Sequence, residues 1–160
     1  MKNLFLLFVG FIIVSCENNN EPGPTTIPFV PVTITPSLVG KGNLNGSEGV
    51  NQQNTIINNE SDWNNLKNQI DLYYQLFGIN YTEQYFEETI INFDNFTVIA
   101  IFDQVYPNRG HSIDITSIIE YENNIIITIE NLLTGNQFSA SSQPYHIVKI
   151  PKATKPIVFE

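Results

Sequence analysis

The feature that most constrains the fold is a run of residues, 96–102, that is apolar at almost every position. Its sequence is Phe-Thr-Val-Ile-Ala-Ile-Phe, and only Thr97 interrupts the apolar character. Successive side chains of a strand point to opposite faces of a sheet, so a strand that is apolar on both faces must be covered on both sides. The run therefore predicts a central strand in a layered fold.

Two helices are predicted ahead of this strand. Apolar residues recur at three- and four-residue spacing between Ser61 and Gly78, which indicates one apolar stripe that covers a face of the sheet. Ser61 is the predicted N-cap, and Gly78 is the predicted C-terminal stop. A shorter helix is predicted to begin at Thr82. The stripe consists of Trp63, Leu66, Ile70, Tyr73, Tyr74 and Phe77.

Alternating apolar runs on either side of the helices predict further strands. Pro31 and Pro36 confine the first of these to a sheet edge or a strand end, and the glycine-rich residues 40–54 are predicted to form a loop with one short irregular strand. We therefore predict a single α+β domain over residues 29–160. It is mainly an antiparallel sheet or sandwich, with one or two helices inserted between early and late strands. The further predicted strands are 29–35, 55–57, 111–121, 125–133, an irregular strand at 137–141, 145–150 and, as a short edge strand, 156–159.

The hairpin around residues 122–124 has two possible registers. A two-residue turn would set Glu120 against Ile127 and place charges on the apolar face. A three-residue loop instead pairs Tyr121 with Ile125 and Ile119 with Ile127. Because a slip of one residue moves every side chain to the other face, we predict the second register, with Asn124 in a left-handed conformation.

The beginning of the chain predicts an export signal. Lys2 precedes an apolar stretch that is too short to cross a bilayer, and Cys16, the only cysteine, follows it directly. The Ser15-Cys16 junction resembles the lipobox of bacterial lipoproteins, which implies cleavage before Cys16 and acylation of that residue. Residues 1–15 are then the signal peptide, and the polar, proline-punctuated residues 16–28 are a flexible tether. We expect a lipid-anchored protein on the outer membrane or cell surface.

Charge and motif content bear on the class of function. The chain has 7 basic and 16 acidic residues and a net charge of −9, which disfavours nucleic acid as a partner. His111, Ser112 and Asp114 are close in sequence, but on a strand His111 and Ser112 project from opposite faces, so they predict no catalytic triad. His111 and His146 lack the spacing of a zinc site. We therefore predict a protein that is not an enzyme and has no metal or cofactor.

Three segments in the second half of the chain resemble the C-terminal domain of PrcB, a subunit of a bacterial cell-surface protease complex. They are residues 93–100, 110–115 and 143–152, and the most specific stretch is Pro-Tyr-His-Ile-Val-Lys-Ile-Pro at 144–151. The resemblance runs from about Asp62 to Phe159. It implies an exported lipoprotein that binds and supports another exported protein, such as a protease, as an assembly subunit.

Two segments are candidates for partner binding, since binding residues favour loops on rigid scaffolds. We expect residues 107–112 and 143–146 to lie together at one end of the sheet. An alternative function uses the same segments, because paired loops at one end of a β-sandwich are how chagasin-like inhibitors enter protease clefts. The candidate binding residues are Pro107, Arg109, Gly110, His111, Pro144, Tyr145 and His146.

Overall fold

A computed structural model describes residues 28–160. The predicted signal peptide, the predicted lipidation site Cys16 and all of the predicted tether except Pro28 lie outside the described residues. Eight strands and two helices follow one another along the described chain. In order they are β1 Val32–Thr33, β2 Ser37–Leu44, β3 Gln53–Ile57, α1 Glu60–Gln75, α2 Tyr81–Tyr85, β4 Phe96–Phe102, β5 Asp114–Glu120, β6 Ile125–Glu130, β7 Gln143–Pro151 and β8 Ile157–Phe159.

The strands form two four-stranded sheets, which confirms the predicted α+β class. The first sheet has the order β1-β5-β6-β8, and the second has the order β2-β7-β4-β3. All pairs are antiparallel except β6 with β8. The two helices are inserted between β3 and β4. The short strands β1 and β8 lie at the edges of the first sheet, as the flanking prolines predicted for β1.

Strand β4 is covered on both faces, as its sequence predicted. On one face Val98 and Ala100 pack with Trp63 and Ile70 of α1. On the other face Ile99 and Ile101 belong to the cluster that fills the space between the two sheets, with Ile118, Ile127 and Val148. Burial of each large apolar side chain contributes roughly 1.5–3 kcal/mol, so these two clusters hold the three layers together.

Helix α1 begins earlier than its sequence suggested. Asn59 is the N-cap, and its side-chain Oδ1 accepts a hydrogen bond from the Asp62 amide at 2.9 Å; the prediction of Ser61 as the cap was wrong. Gly78 has the left-handed conformation (φ 72°) expected after a helix. Phe77 is 64% exposed and does not join the buried stripe. Among the described residues no helix is long and apolar enough to cross a membrane.

Residues 40–44 of the glycine-rich segment belong to a strand rather than to the predicted loop, whereas residues 45–52 do form a loop. Strand β2 continues to Leu44, and a register shift at Val39 marks a bulge. A Cβ atom at Gly40 would lie 2.8 Å from Cδ1 of Phe86. Glycine is needed there because the Phe86 ring packs directly against the β2 backbone.

The β5–β6 hairpin has neither of the registers considered from the sequence. Ile118 pairs with Ile127 and Glu120 with Ile125, so residues 121–124 form a four-residue loop. The pairing shifts at Thr116, which is an extra residue on β5. A bulge changes which alternate residues face the core, and a strict period of two cannot anticipate it. Within residues 28–160 only glycines have positive φ, so the prediction of a left-handed conformation at Asn124 was also wrong.

Candidate protein-binding loops

Two long loops meet at one end of the β5–β6 hairpin. One loop connects β4 to β5 and the other connects β6 to β7, so both lie at the end opposite the 121–124 turn. We call residues 104–112 and 131–142 the loop platform. Its position follows from the topology, because β5 begins and β6 ends at this end of the hairpin.

Backbone hydrogen bonds join the two loops along most of their length. Tyr106 and Ser142 exchange two bonds, with N–O distances of 2.8 and 3.0 Å. Further along, the loops continue to pair residue by residue, which satisfies polar groups that would otherwise depend on water. These bonds run from Arg109 N to Phe138 O (3.1 Å), Asn136 N to Arg109 O (2.7 Å), Gly135 N to Gly110 O (3.1 Å) and Ser112 N to Leu133 O (3.2 Å).

Side chains fix the platform from within. The Asn108 amide donates to the Asn136 carbonyl at 2.7 Å, and its Oδ1 lies 3.1 Å from His111 Nε2. The His111 ring stacks on Tyr106 with centroids 3.6 Å apart and an interplanar angle of 6°. At Gly110 (φ 84°) an added Cβ would lie 2.6 Å from Asn136 Nδ2. The loops therefore have little freedom to rearrange.

The platform exposes apolar side chains. The exposed fractions are 47% for Val105, 59% for Leu132, 59% for Leu133 and 64% for Phe138. The Arg109 guanidinium lies over the Phe138 ring, 5.7 Å from its centroid, within the range of a cation–π contact. Arginine and aromatic side chains dominate the energetics of many protein interfaces.

The sequence-predicted binding residues divide into two groups. Pro107 and Arg109 are exposed on the platform, and Gly110 and His111 are half-buried within it. The prediction of a second binding loop at 143–146 was wrong, because this segment is the beginning of β7. The side chains that it contributes are buried in the second sheet and cannot reach a partner. They are Pro144, Tyr145 (1% exposed) and His146 (8% exposed).

The true neighbour of loop 107–112 was missed from the sequence. Leu132 and Leu133 were predicted to extend β6, yet the strand ends at Glu130. Asn131 was the available signal, since its Nδ2 donates to Asp103 Oδ2 at 2.6 Å and to the Ser112 carbonyl at 3.1 Å and turns the chain out of the sheet. The pairing of two loops about 28 residues apart has no local sequence signature.

The buried carboxylate of Asp114 supports the platform where it joins β5. Ser112 Oγ donates to Asp114 Oδ2 at 2.5 Å and accepts from the Leu133 amide. Lys41 also binds Asp114. The pKa of Asp114 is lowered: burial raises it, but the hydrogen bonds from Lys41 and Ser112 outweigh that effect. Ser112 is thus bonded to a carboxylate rather than to an imidazole, which is not the geometry of a catalytic triad.

His146 holds the two sheets together at this end. Its Nδ1 accepts a hydrogen bond from the Ile115 amide of β5 at 3.0 Å. Burial, reinforced by the positive charge of Lys41, lowers the pKa of His146 to about 4, although Asp114 acts in the opposite direction. The histidine is therefore neutral at pH 7 and serves as an acceptor. In residues 28–160 no three His, Cys, Asp or Glu side chains form a group that could hold a metal ion.

A cleft of about 440 Å³ borders the platform beside Arg109 and Gly110. Its walls include Asn43, Tyr74 and Ser142. The neighbouring Ser141 Oγ donates to the Asn45 carbonyl at 2.8 Å and so ties the platform to the end of β2.

Comparison with known proteins gives no match to a family model, to a curated protein or to a solved structure.

Proposed function

We propose that this protein is a non-enzymatic, lipid-anchored accessory protein that binds and supports an exported partner protein through the loop platform. The observation that carries the proposal is the group of exposed apolar side chains, with Arg109, on two loops that are already fixed by mutual hydrogen bonds. Exposed apolar groups that cluster on a rigid support are typical of protein interfaces. The PrcB resemblance favours an exported protease as the partner.

Rigid loops favour tight binding for a physical reason. Ordering a loop on binding costs conformational entropy, and a loop that is ordered beforehand avoids most of that cost. In the platform, the Tyr106–His111 stack and the Asn108 hydrogen bonds maintain this order in the unbound protein. The net charge of −9 leaves a protein as the natural class of partner.

Crosslinking in intact cells, followed by capture of the full-length protein, would identify the partner. The purified pair would then be titrated with platform variants. We expect Arg109→Ala and Phe138→Ala each to weaken binding by about 2 kcal/mol, roughly 30-fold, with an unchanged melting temperature because both side chains are exposed. Leu76→Ala is the matched control, since Leu76 is 78% exposed at the end of α1. Partner binding that survives both platform changes would place the interface elsewhere.

The alternative function is a protease inhibitor that binds in the manner of chagasin. Burial of residues 143–146 argues against it, because that binding mode needs these residues as a second exposed loop. If the captured partner is a protease, its activity distinguishes the two functions. Preserved or increased activity in the presence of this protein indicates an assembly subunit. Decreased activity indicates an inhibitor.

A further inference from the structure

The outer edge of β3 is open to pairing with another strand. Strand β3 is last in the order β2-β7-β4-β3, and in residues 28–160 no strand lies on its other side. Its sequence, Gln-Asn-Thr-Ile-Ile, contains no charged residue and no proline. Those are the devices by which proteins commonly protect an edge strand from pairing.

The hydrogen-bond pattern shows which backbone groups point outward. The Asp103 amide donates to the Pro144 carbonyl of β7 at 3.0 Å. Because these directions alternate along an antiparallel strand, Phe102, Ala100 and Val98 point their backbone groups toward β3. The β3 residues that pair with these three direct their own backbone N–H and C=O groups toward β4. The N–H and C=O groups of Asn54 and Ile56 are therefore directed away from the sheet.

A groove runs beside this edge, between β3 and α1. Its volume is about 220 Å³. Ile57 of β3, with Leu66 and Phe102, provides an apolar floor, and all three are buried. The exposed side chains of Asp62 and Asn65 on α1 form the rim.

The geometry points to the groove between β3 and α1 as a second binding site, where an extended segment of a partner protein adds as a fifth strand to the second sheet. In this mode the main-chain hydrogen bonds give affinity, and alternate side chains enter pockets that give specificity. The site shares no residue with the loop platform, so it goes beyond the proposed function.

The groove also defines the chemistry of the segment. Every second side chain would face the apolar floor, so aliphatic residues are expected at alternate positions. The carboxylate of Asp62 at the rim favours a lysine or arginine beside it, and the net charge of −9 disfavours an acidic segment. The occupant is therefore an extended, uncharged or basic peptide with alternating aliphatic side chains.

The probe is a peptide selected on the full-length protein from a random phage-displayed library and then labelled for fluorescence anisotropy. Asn54→Pro removes one outward N–H without breaking the ladder to β4 and is expected to weaken binding about tenfold or more. Asn54→Ala is the matched control, because it retains that N–H, and its affinity is expected to stay within about twofold of wild type. Circular dichroism checks that both variants fold.

A second pair of variants tests the groove even if Asn54→Pro does not fold. Asn65→Trp fills the groove from the exposed rim, whereas Asn68→Trp adds the same side chain at an exposed position of α1 outside the groove lining. Only the first should abolish peptide binding. Equal affinities within either pair of variants, or no selected peptide, would overturn the proposal. Concentration-dependent dimers that Asn54→Pro abolishes would assign the edge to a second copy of this chain and also overturn it.

Discussion

The buried imidazole of His146 makes stability depend on pH. Its Nδ1 can accept the Ile115 amide only while it is unprotonated, and burial together with the Lys41 charge lowers its pKa to about 4. In the unfolded chain the pKa of histidine is about 6.5. Between these two values the unfolded state binds a proton that the folded state does not, so acidification favours unfolding.

We therefore expect the free energy of unfolding to fall by roughly 2–3 kcal/mol as the pH is lowered from 6.5 to 4. Urea denaturation at several pH values measures this slope. His146→Asn is the control, because its amide oxygen can accept the same hydrogen bond but does not titrate. An identical slope in the wild type and in His146→Asn would refute the prediction. Asp114 affects stability in a separate pH range. Because its pKa is lowered in the folded protein, its contribution to the free energy of unfolding is lost only as the pH falls below the ordinary carboxyl range.

At the scale of elements, regular patterns could be predicted and irregular ones could not. The apolar run of β4 and the stripe of Trp63, Leu66 and Ile70 have the periods of a buried strand and an amphipathic helix, and both predictions are confirmed. The bulge at Thr116 interrupts the alternation of side chains along β5, which a strict period of two does not predict. One of the two platform loops was predicted, because residues 107–112 include turn-forming residues. The other loop was missed, because it is recognised only through hydrogen bonds between residues far apart in the sequence.

The start of α1 provides a direct test of the cap. Asn59→Ala removes the acceptor of the Asp62 amide and is expected to destabilise the protein by about 1 kcal/mol. Ser61→Ala lies inside the helix at an exposed position and should change stability by less than about 0.5 kcal/mol. Thermal denaturation of both variants compares them. A larger loss at Ser61 than at Asn59 would contradict the assigned helix start.

The hairpin register can be tested with paired cysteines. The Tyr121 amide donates to the Asn124 carbonyl at 2.8 Å, so the next pair, Glu120 and Ile125, is not hydrogen-bonded. The Cα atoms of such pairs are about 4.5 Å apart, within the range that a disulfide spans. Glu120→Cys with Ile125→Cys should therefore oxidise readily, as shown by mass spectrometry without reductant. Tyr121→Cys with Ile125→Cys is the control, and faster oxidation of that pair would favour the register predicted from the sequence.

For the whole molecule, the topology separates the chain entry from the loop platform. Phe29 and Pro31 line a depression with Tyr121 and Asn123 at the turn of the β5–β6 hairpin. The platform lies at the other end of that hairpin, whose strands of about six residues extend roughly 20 Å. If Cys16 carries the lipid, the tether reaches the domain at the turn, and the platform faces away from the bilayer toward a partner.

This orientation predicts different distances to the membrane for labels at the two ends. The full-length lipidated protein would be reconstituted in vesicles with an acceptor-labelled lipid, and a donor dye attached at Asn123→Cys or at Leu133→Cys. Energy transfer should be higher from residue 123, since a tether of about a dozen residues has a root-mean-square span of roughly 20 Å, similar to the length of the hairpin, and so keeps the turn closer to the bilayer than the platform on average. Equal transfer from both positions would mean that the domain rotates freely on its tether.

Labelled palmitate should enter the wild type but not Cys16→Ala, which serves as the unanchored control. Palmitate in both proteins would contradict acylation of Cys16.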